Sequence, residues 1–281
     1  MGGWRAMERW RSEATRPQAG GVQYHIRCGP GQVARYVLMP GDPDRVPLIA
    51  STWDEAQPVA RHREYTTYTG KVGGVAISST STGIGGPSTA IAVEELAEVG
   101  ADTFIRVGTC GAIQPEVRCG ELVIVSAAVR HDGTSDDYVE PAYPAAAHYQ
   151  VVAALVEAAE RLGLPYHVGV AASTASFHAG QSRPGWRGYT QTWTGQRIED
   201  LRRAGVLIFE MEAATLYTLA GLFGLRAGGV MAVVANRVTD EMSYGGVEES
   251  ARVATEAVRI LAEWDQRLQR SGRRHWYPSV G

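Results

Sequence analysis

Apolar positions in this chain fall into two alternating kinds of run. Short β-branched stretches, "YVLM", "GVAISST", "TFIRVG", "ELVIVSAAVR", "HVGVAAS", "VLIFEM" and "GGVMAVVAN", read as largely buried strands. Between them, segments with apolar residues three and four apart predict helices over 88–99, 145–162, 212–223 and 246–268. The spacing is plainest in "STAIAVEELAEVG", where Gly100 stands at the expected helix end. Such alternation predicts an α/β fold, a single domain with a central sheet flanked by helices. No linker, repeat or low-complexity segment divides it. The stretch 180–194, "GQSRPGWRGYTQTWT", is the longest without periodicity and reads as a functional loop.

Composition narrows the classes. The 281 residues, 44% hydrophobic and 20% charged, are enough for a sizeable core. A net charge of −3 gives no bulk attraction to nucleic acid or to a membrane surface. Lys71 is the only lysine, which leaves arginine as the binder for any planar anion. Cys28, Cys110 and Cys119 show no CxxC spacing, so neither a disulfide framework nor a zinc site is expected, and a cytoplasmic setting is. No apolar run approaches the roughly 20 residues of a membrane span. Residues 1–20 are basic and polar, without the apolar centre of a signal peptide, and read as a loosely held extension. The domain is expected over 21–270, with a tail over 271–281.

Five motifs carry candidate chemistry. In "LMPGDPDRV", Asp42 is expected to cap a helix with Pro43 in its first turn. Gly41 would turn the chain sharply and leave its N–H open beside Arg45, a setting that favours an anion. An ordinary capped helix with a solvated arginine is the alternative. "TSTGIGGPSTAIAVEEL" nearly fits a dinucleotide-binding glycine pattern, yet Ser88 replaces the last glycine, and tight strand–helix packing explains Gly83, Gly85 and Gly86 equally well. In "FIRVGTCGAI", Arg106 lies in an apolar strand, where it needs an anionic partner, either a ligand or a neighbouring glutamate. Thr109 adds a hydroxyl beside it. In "FEMEAATL", Glu210 and Glu212 flank Met211 at a strand end. They could act as acid and base or as acceptors for a sugar diol, or simply favour a helix N-terminus; without His or Asp at ligand spacing, a metal is discounted. In "SFHAGQSRPGW", Gln181 and Arg183 offer an edge and Phe177 a face for a flat heterocycle, with a plain polar loop as the alternative. No G-x-S-x-G and no obvious Ser–His or Cys–His pair points to a nucleophile.

Taken together, "GDPDRV", "HREYTTY", "STGIGGPSTAIAVEELAEVGADTFIRVGTCGAIQP", "FHAGQSR", "FEMEAATL" and "VVANR" resemble uridine phosphorylases of the bacterial hexameric type, within the nucleoside phosphorylase superfamily. The resemblance runs from about Tyr24 to Leu268, with the motifs in order. It implies the nucleoside phosphorylase fold, a mixed and partly barrel-like sheet flanked by helices, and reversible phosphorolysis of uridine to uracil and ribose 1-phosphate. By resemblance, Gly41, Arg45, Arg106 and Thr109 bind phosphate, and Arg63 reaches it from the neighbouring subunit. His25, beside Tyr24, crosses the same interface to the ribose 5′-hydroxyl. Met211 and Glu212, with Glu210 adjacent, match the ribose site. Gln181 and Arg183 match the uracil readers, Phe177 their stacking partner and Arg237 the arginine behind them. Arg106, Arg45 and Glu212 are the residues expected to carry catalysis. Glu64, Ile84 and Ser88 match positions that hold a monovalent cation, K+, at a dimer interface in some members. No other cofactor is implied, and the expected assembly is a hexamer built as a trimer of dimers that share active sites.

The residues around Arg183 and the segment "DGTSDDYVEP" depart from the family pattern, so a modified uridine, altered for instance at C5′, stays open as substrate. A nucleoside hydrolase would have little use for so many anion-binding residues, and a non-catalytic nucleoside binder would not need all of them.

Overall fold

The computed structural model describes residues 15–279. Its strands are β1 (Gln18–Ala19), β2 (Val22–Gln23), β3 (Tyr36–Pro40), β4 (Glu55–His62), β5 (Tyr65–Val72), β6 (Val75–Thr80), β7 (Thr103–Ala112), β8 (Leu122–His131), β9 (Ala145–Ala146), β10 (Tyr166–Thr174), β11 (Val206–Glu210), β12 (Arg226–Asn236) and β13 (Glu241–Met242). Its helices are α1 (Arg45–Ala50), α2 (Gly86–Glu98), α3 (Tyr149–Leu162), α4 (Thr194–Arg203), α5 (Ala213–Phe223) and α6 (Val247–Ser271).

Five strands close on themselves in the order β12, β8, β10, β11, β7 and back to β12, forming a small barrel. From β7 the sheet continues outward through β3, β6, β5 and β4. The barrel is mixed: β7 runs parallel to β12 and antiparallel to β11, while β8 runs parallel to β10 and antiparallel to β12. Because β7 is covered on one edge by β3 and on the other by β12, its apolar residues Phe104, Ile105 and Val107 are almost wholly buried. Each such side chain contributes on the order of 1.5–3 kcal/mol by burial. One core lies among α2, α5 and the barrel; a second lies under α3 and α6. This is the single α/β domain with a partly barrel-like sheet that the sequence led us to expect. Among the described residues no helix is long and apolar enough to cross a membrane.

Several details depart from the sequence reading. The hairpin of β4 and β5 was not predicted, because β4 is largely exposed and interrupted by Pro58 and so carries no apolar alternation. α4 was likewise missed, being a polar helix with only Leu201 buried. The predicted helix over 145–162 begins instead at Tyr149, since Ala145 and Ala146 pair with β8. β7 runs on to Ala112, so Thr109 lies inside a strand rather than in a loop after it. The helix after the opening corner starts at Arg45, not Pro43. Asp42 does not cap it; its Oδ1 accepts the Asp44 N–H at 2.9 Å instead. Of the extension read over 1–20, residues 1–14 lie outside the described residues, and Gln18–Ala19 is held in the ribbon with Val22–Gln23. α6 extends beyond the predicted end at 268, and Trp276 after it stacks on Trp264 at 3.8 Å, so the tail folds back on the helix.

Candidate active site

A cavity of about 680 Å³ lies where β3, β7 and β11 end or bend toward one another. The antiparallel register pairs Phe209 with Gly111. Glu210 and Met211 therefore run back alongside the middle of β7, toward Arg106. Of the residues singled out in the sequence, the cavity brings together Gly41, Arg45, Ile84, Arg106, Thr109, Phe177, Gln181, Arg183, Glu210, Met211 and Glu212.

Arg106 is only 5% exposed. Its Nη2 donates to Glu212 Oε2, and its Nε lies 3.6 Å from Glu210 Oε2, beyond hydrogen-bonding reach. Among the described residues its Nε and Nη1 have no hydrogen-bond partner. The internal glutamate that sequence reasoning weighed against a ligand is thus present, yet it uses only part of the guanidinium. Gly41 stands close by: a Cβ there would sit 3.1 Å from the Gly83 carbonyl oxygen and 3.8 Å from both Nη atoms of Arg106. The backbone of Gly41 stays outside the left-handed region, so the glycine serves close approach rather than the sharp turn we expected. Burial pushes the Arg45 pKa down; nearby Arg106 adds to the effect and Asp42 opposes it. Arg45, disfavoured in its charged state by burial, and the open donors of Arg106 beside it make a site that an anion would stabilise.

The two glutamates have different tasks. Glu210 Oε2 accepts the N–H groups of Glu212 (2.8 Å) and Ala213 (2.9 Å), and its Oε1 accepts the Ser173 hydroxyl. Ser173 Oγ in turn accepts the Ala214 N–H at 2.8 Å. Glu210 and Ser173 therefore cap the first turn of α5, as a helix N-terminus favours. Glu212, one residue before that helix, sends Oε1 to the Gly85 N–H at 2.6 Å and Oε2 to Arg106. Burial raises its carboxyl pKa, with Arg106 opposing and Glu210 reinforcing the shift.

At the other end of the cavity, the Arg183 guanidinium lies 4.0 Å from the centre of the Phe177 ring, and its Nη1 donates to Gln181 Oε1 at 2.5 Å. Arg237 does not border the cavity; it stands behind this group, its Nη1 donating to the Gln181 carbonyl at 2.9 Å. Burial, with Arg237 nearby, lowers the Arg183 pKa to about 10, which leaves it cationic at neutral pH.

Four more of the predicted residues do not line the cavity: His25, Arg63, Glu64 and Ser88. His25 borders a separate cleft, with Nδ1 2.6 Å from Glu95 Oε1. Arg63 is at the tip of the β4–β5 hairpin, in the left-handed region at φ 54°, its guanidinium over the Tyr24 ring. Glu64 follows it; its Cγ would lie 2.9 Å from a Cβ on Gly83, and Ser88 Oγ is 3.4 Å from the Ile84 carbonyl, so Glu64, Ile84 and Ser88 are neighbours near the cavity rim. Sequence reasoning overlooked Met242, which lines the cavity from the two-residue β13, and Ser173. Neither carried a motif; only the pairing of Ser173 with Glu210 across β10 and β11 exposes its role.

A deep site of this chemistry, set beside a closed five-stranded barrel, defines a class: the chain belongs to the phosphorylase superfamily, whose profile matches residues 35–263. More narrowly, it is 62% identical over 268 residues to the uridine phosphorylase of Thermococcus kodakarensis, covering 95% of this chain and 97% of that one. It is 42% identical over 244 residues to the uridine phosphorylase of Escherichia coli K12, covering 84% and 93%. A guanosine phosphorylase of Halorubrum lacusprofundi is 36% identical over 251 residues, covering 85% and 99%.

Proposed function

We propose that this protein catalyses the reversible phosphorolysis of uridine, forming uracil and ribose 1-phosphate. The observation that carries the anion-dependent half of this reading is Arg106, buried, with two donors unspent beside Arg45 and Gly41. Inorganic phosphate would take those donors together with the Thr109 hydroxyl. Cleavage of the glycosidic bond places positive charge on the sugar and negative charge on the base. A phosphate held against C1′ is then both nucleophile and counter-charge. Glu212 accepts hydrogen bonds from the ribose diol, with Met211 against the sugar. Glu210 holds the start of α5 beneath them. Gln181 and Arg183 receive the electron density that moves onto the pyrimidine oxygens, and Phe177 offers its ring to the base. In this structure Arg183 covers that ring, so base binding would shift the guanidinium from the face to the edge of the pocket.

His25 and Arg63 complete the site of a neighbouring copy, the first at the ribose 5′-hydroxyl and the second at phosphate, in a hexamer built from such dimers. K+ would sit between copies at Glu64, Ile84 and Ser88. No redox cofactor enters the reaction. The enzyme acts in pyrimidine salvage in the cytoplasm.

Uracil release from uridine, followed with and without inorganic phosphate and compared with guanosine, tests the reading. Release that depends on phosphate and favours uridine is expected. Equal release in its absence would mean hydrolysis, and preference for guanosine would move the base assignment to purines.

A further inference from the structure

The Glu212 carboxylate is anchored by Gly85 as well as by Arg106, and the starts of α2 and α5 that position it both pack against the loop after β8, which carries a buried carboxylate outside the cavity. Asp132, directly after β8, is 3% exposed and forms no ion pair among the described residues. Its oxygens accept three hydrogen bonds: from the Ser135 N–H (2.9 Å), the Ser135 hydroxyl (2.7 Å) and the Thr215 hydroxyl (2.6 Å). Thr215 lies in the first turn of α5, three residues beyond Glu212. The side chains of Thr134 and Thr215 both close over Gly86; a Cβ at Gly86 would lie 2.4 Å from the Thr134 hydroxyl oxygen and 2.7 Å from that of Thr215. Gly86 opens α2, and its neighbour Gly85 supplies the N–H that binds Glu212 Oε1. The loop itself is fixed by Arg130, whose three nitrogens donate to Ser135, Asp136, Val139, Glu140 and Tyr143.

We propose that Asp132, acting through Thr215, is a positioning residue that sets the spacing between the starts of α2 and α5 and so aims the Glu212 carboxylate at the ribose diol. The geometry of Glu212 depends on that spacing, because its backbone belongs to α5 while one of its anchors belongs to α2. Removing the Thr215 hydroxyl leaves a buried carboxylate short of its closest donor, and such groups relax toward other partners. This inference rests on the assignment of Glu212 to the ribose.

Thr215→Val keeps the shape and loses the hydroxyl; Thr215→Ser keeps the hydroxyl. With Thr215→Val, kcat/KM for uridine is expected to fall about tenfold and for 2′-deoxyuridine about twofold, narrowing the preference between them, while Thr215→Ser stays within about twofold of wild type on both. Asp132→Asn should narrow the preference in the same direction. Hydrogen exchange at the Gly85–Gly86 segment, read by mass spectrometry, should quicken in Thr215→Val and not in Thr215→Ser. Equal losses on both nucleosides, or unchanged exchange, would overturn the positioning role. Faster exchange in Thr215→Val, with a wild-type enzyme that releases no uracil with phosphate, would instead overturn the uridine assignment and leave the α2–α5 clamp standing.

Discussion

Two buried glutamates and the cavity compete for one guanidinium. Arg106 pairs with Glu212 and faces Glu210, so its removal strands two almost wholly buried carboxylates as well as deleting an anion donor. Arg106→Ala is therefore expected to cost about 3–5 kcal/mol of stability along with activity, because breaking a buried pair leaves an uncompensated charge. Arg45 forms no ion pair among the described residues. Arg45→Ala should raise the KM for phosphate about tenfold or more, with a melting temperature close to wild type. A thermal melt beside phosphate saturation curves separates the two; equal destabilisation by both substitutions would remove the distinction. Glu212 adds a pH dependence. Burial raises its pKa, so it takes up a proton at a higher pH than an ordinary carboxylate as the solution is acidified, and it then loses its capacity to accept from the ribose. The acid limb of kcat/KM for uridine should lie above the usual carboxylate range, and the residual activity of Glu212→Gln should lack it.

At the scale of elements, the barrel strands and the apolar helices were legible because burial on both faces writes a continuous β-branched run and burial on one face writes a three-and-four spacing. β4 and α4 were not, since each exposes most of its surface and so leaves no such record. The motifs located the cavity through residues that burial alone does not explain, Arg106 in a strand and Gly41 at a corner. The geometry between elements was out of reach: nothing in "FEMEAATL" distinguishes Glu210, which caps a helix, from Glu212, which bonds to Gly85 and Arg106 at the cavity, until β10 brings Ser173 alongside. The same limit applies to Arg237, whose hold on the Gln181 backbone carbonyl ties the end of β12 to the loop that carries Gln181 and Arg183. Arg237→Ala frees that loop without touching the phosphate side. The KM for uridine is expected to rise about tenfold while the KM for phosphate stays within about twofold, and a matching rise in both would place Arg237 elsewhere in the mechanism.

For the whole molecule, the informative feature is what a single chain leaves out of its own cavity. Arg63, at a hairpin tip, and His25, in a separate cleft, stand outside it, and the proposed function has them finish the site of a second copy. Shared sites make a specific demand on mixtures. Glu212→Gln damages the cavity of its own chain, whereas Arg63→Ala damages only what a chain lends to its partner. In a dimer containing one chain of each, the cavity of the Arg63→Ala chain is intact and receives a normal Arg63 from the other, so one of its two sites is complete. Random reassortment of equal amounts makes about half of all dimers mixed, and the blend should regain roughly a quarter of wild-type activity although each parent alone is nearly inactive. Denaturing and refolding the variants together, then assaying uracil release, measures this directly. Activity no greater than the mean of the two parents would mean that each chain completes its own site, and Arg63 would then have to reach its own cavity by a movement of the β4–β5 hairpin.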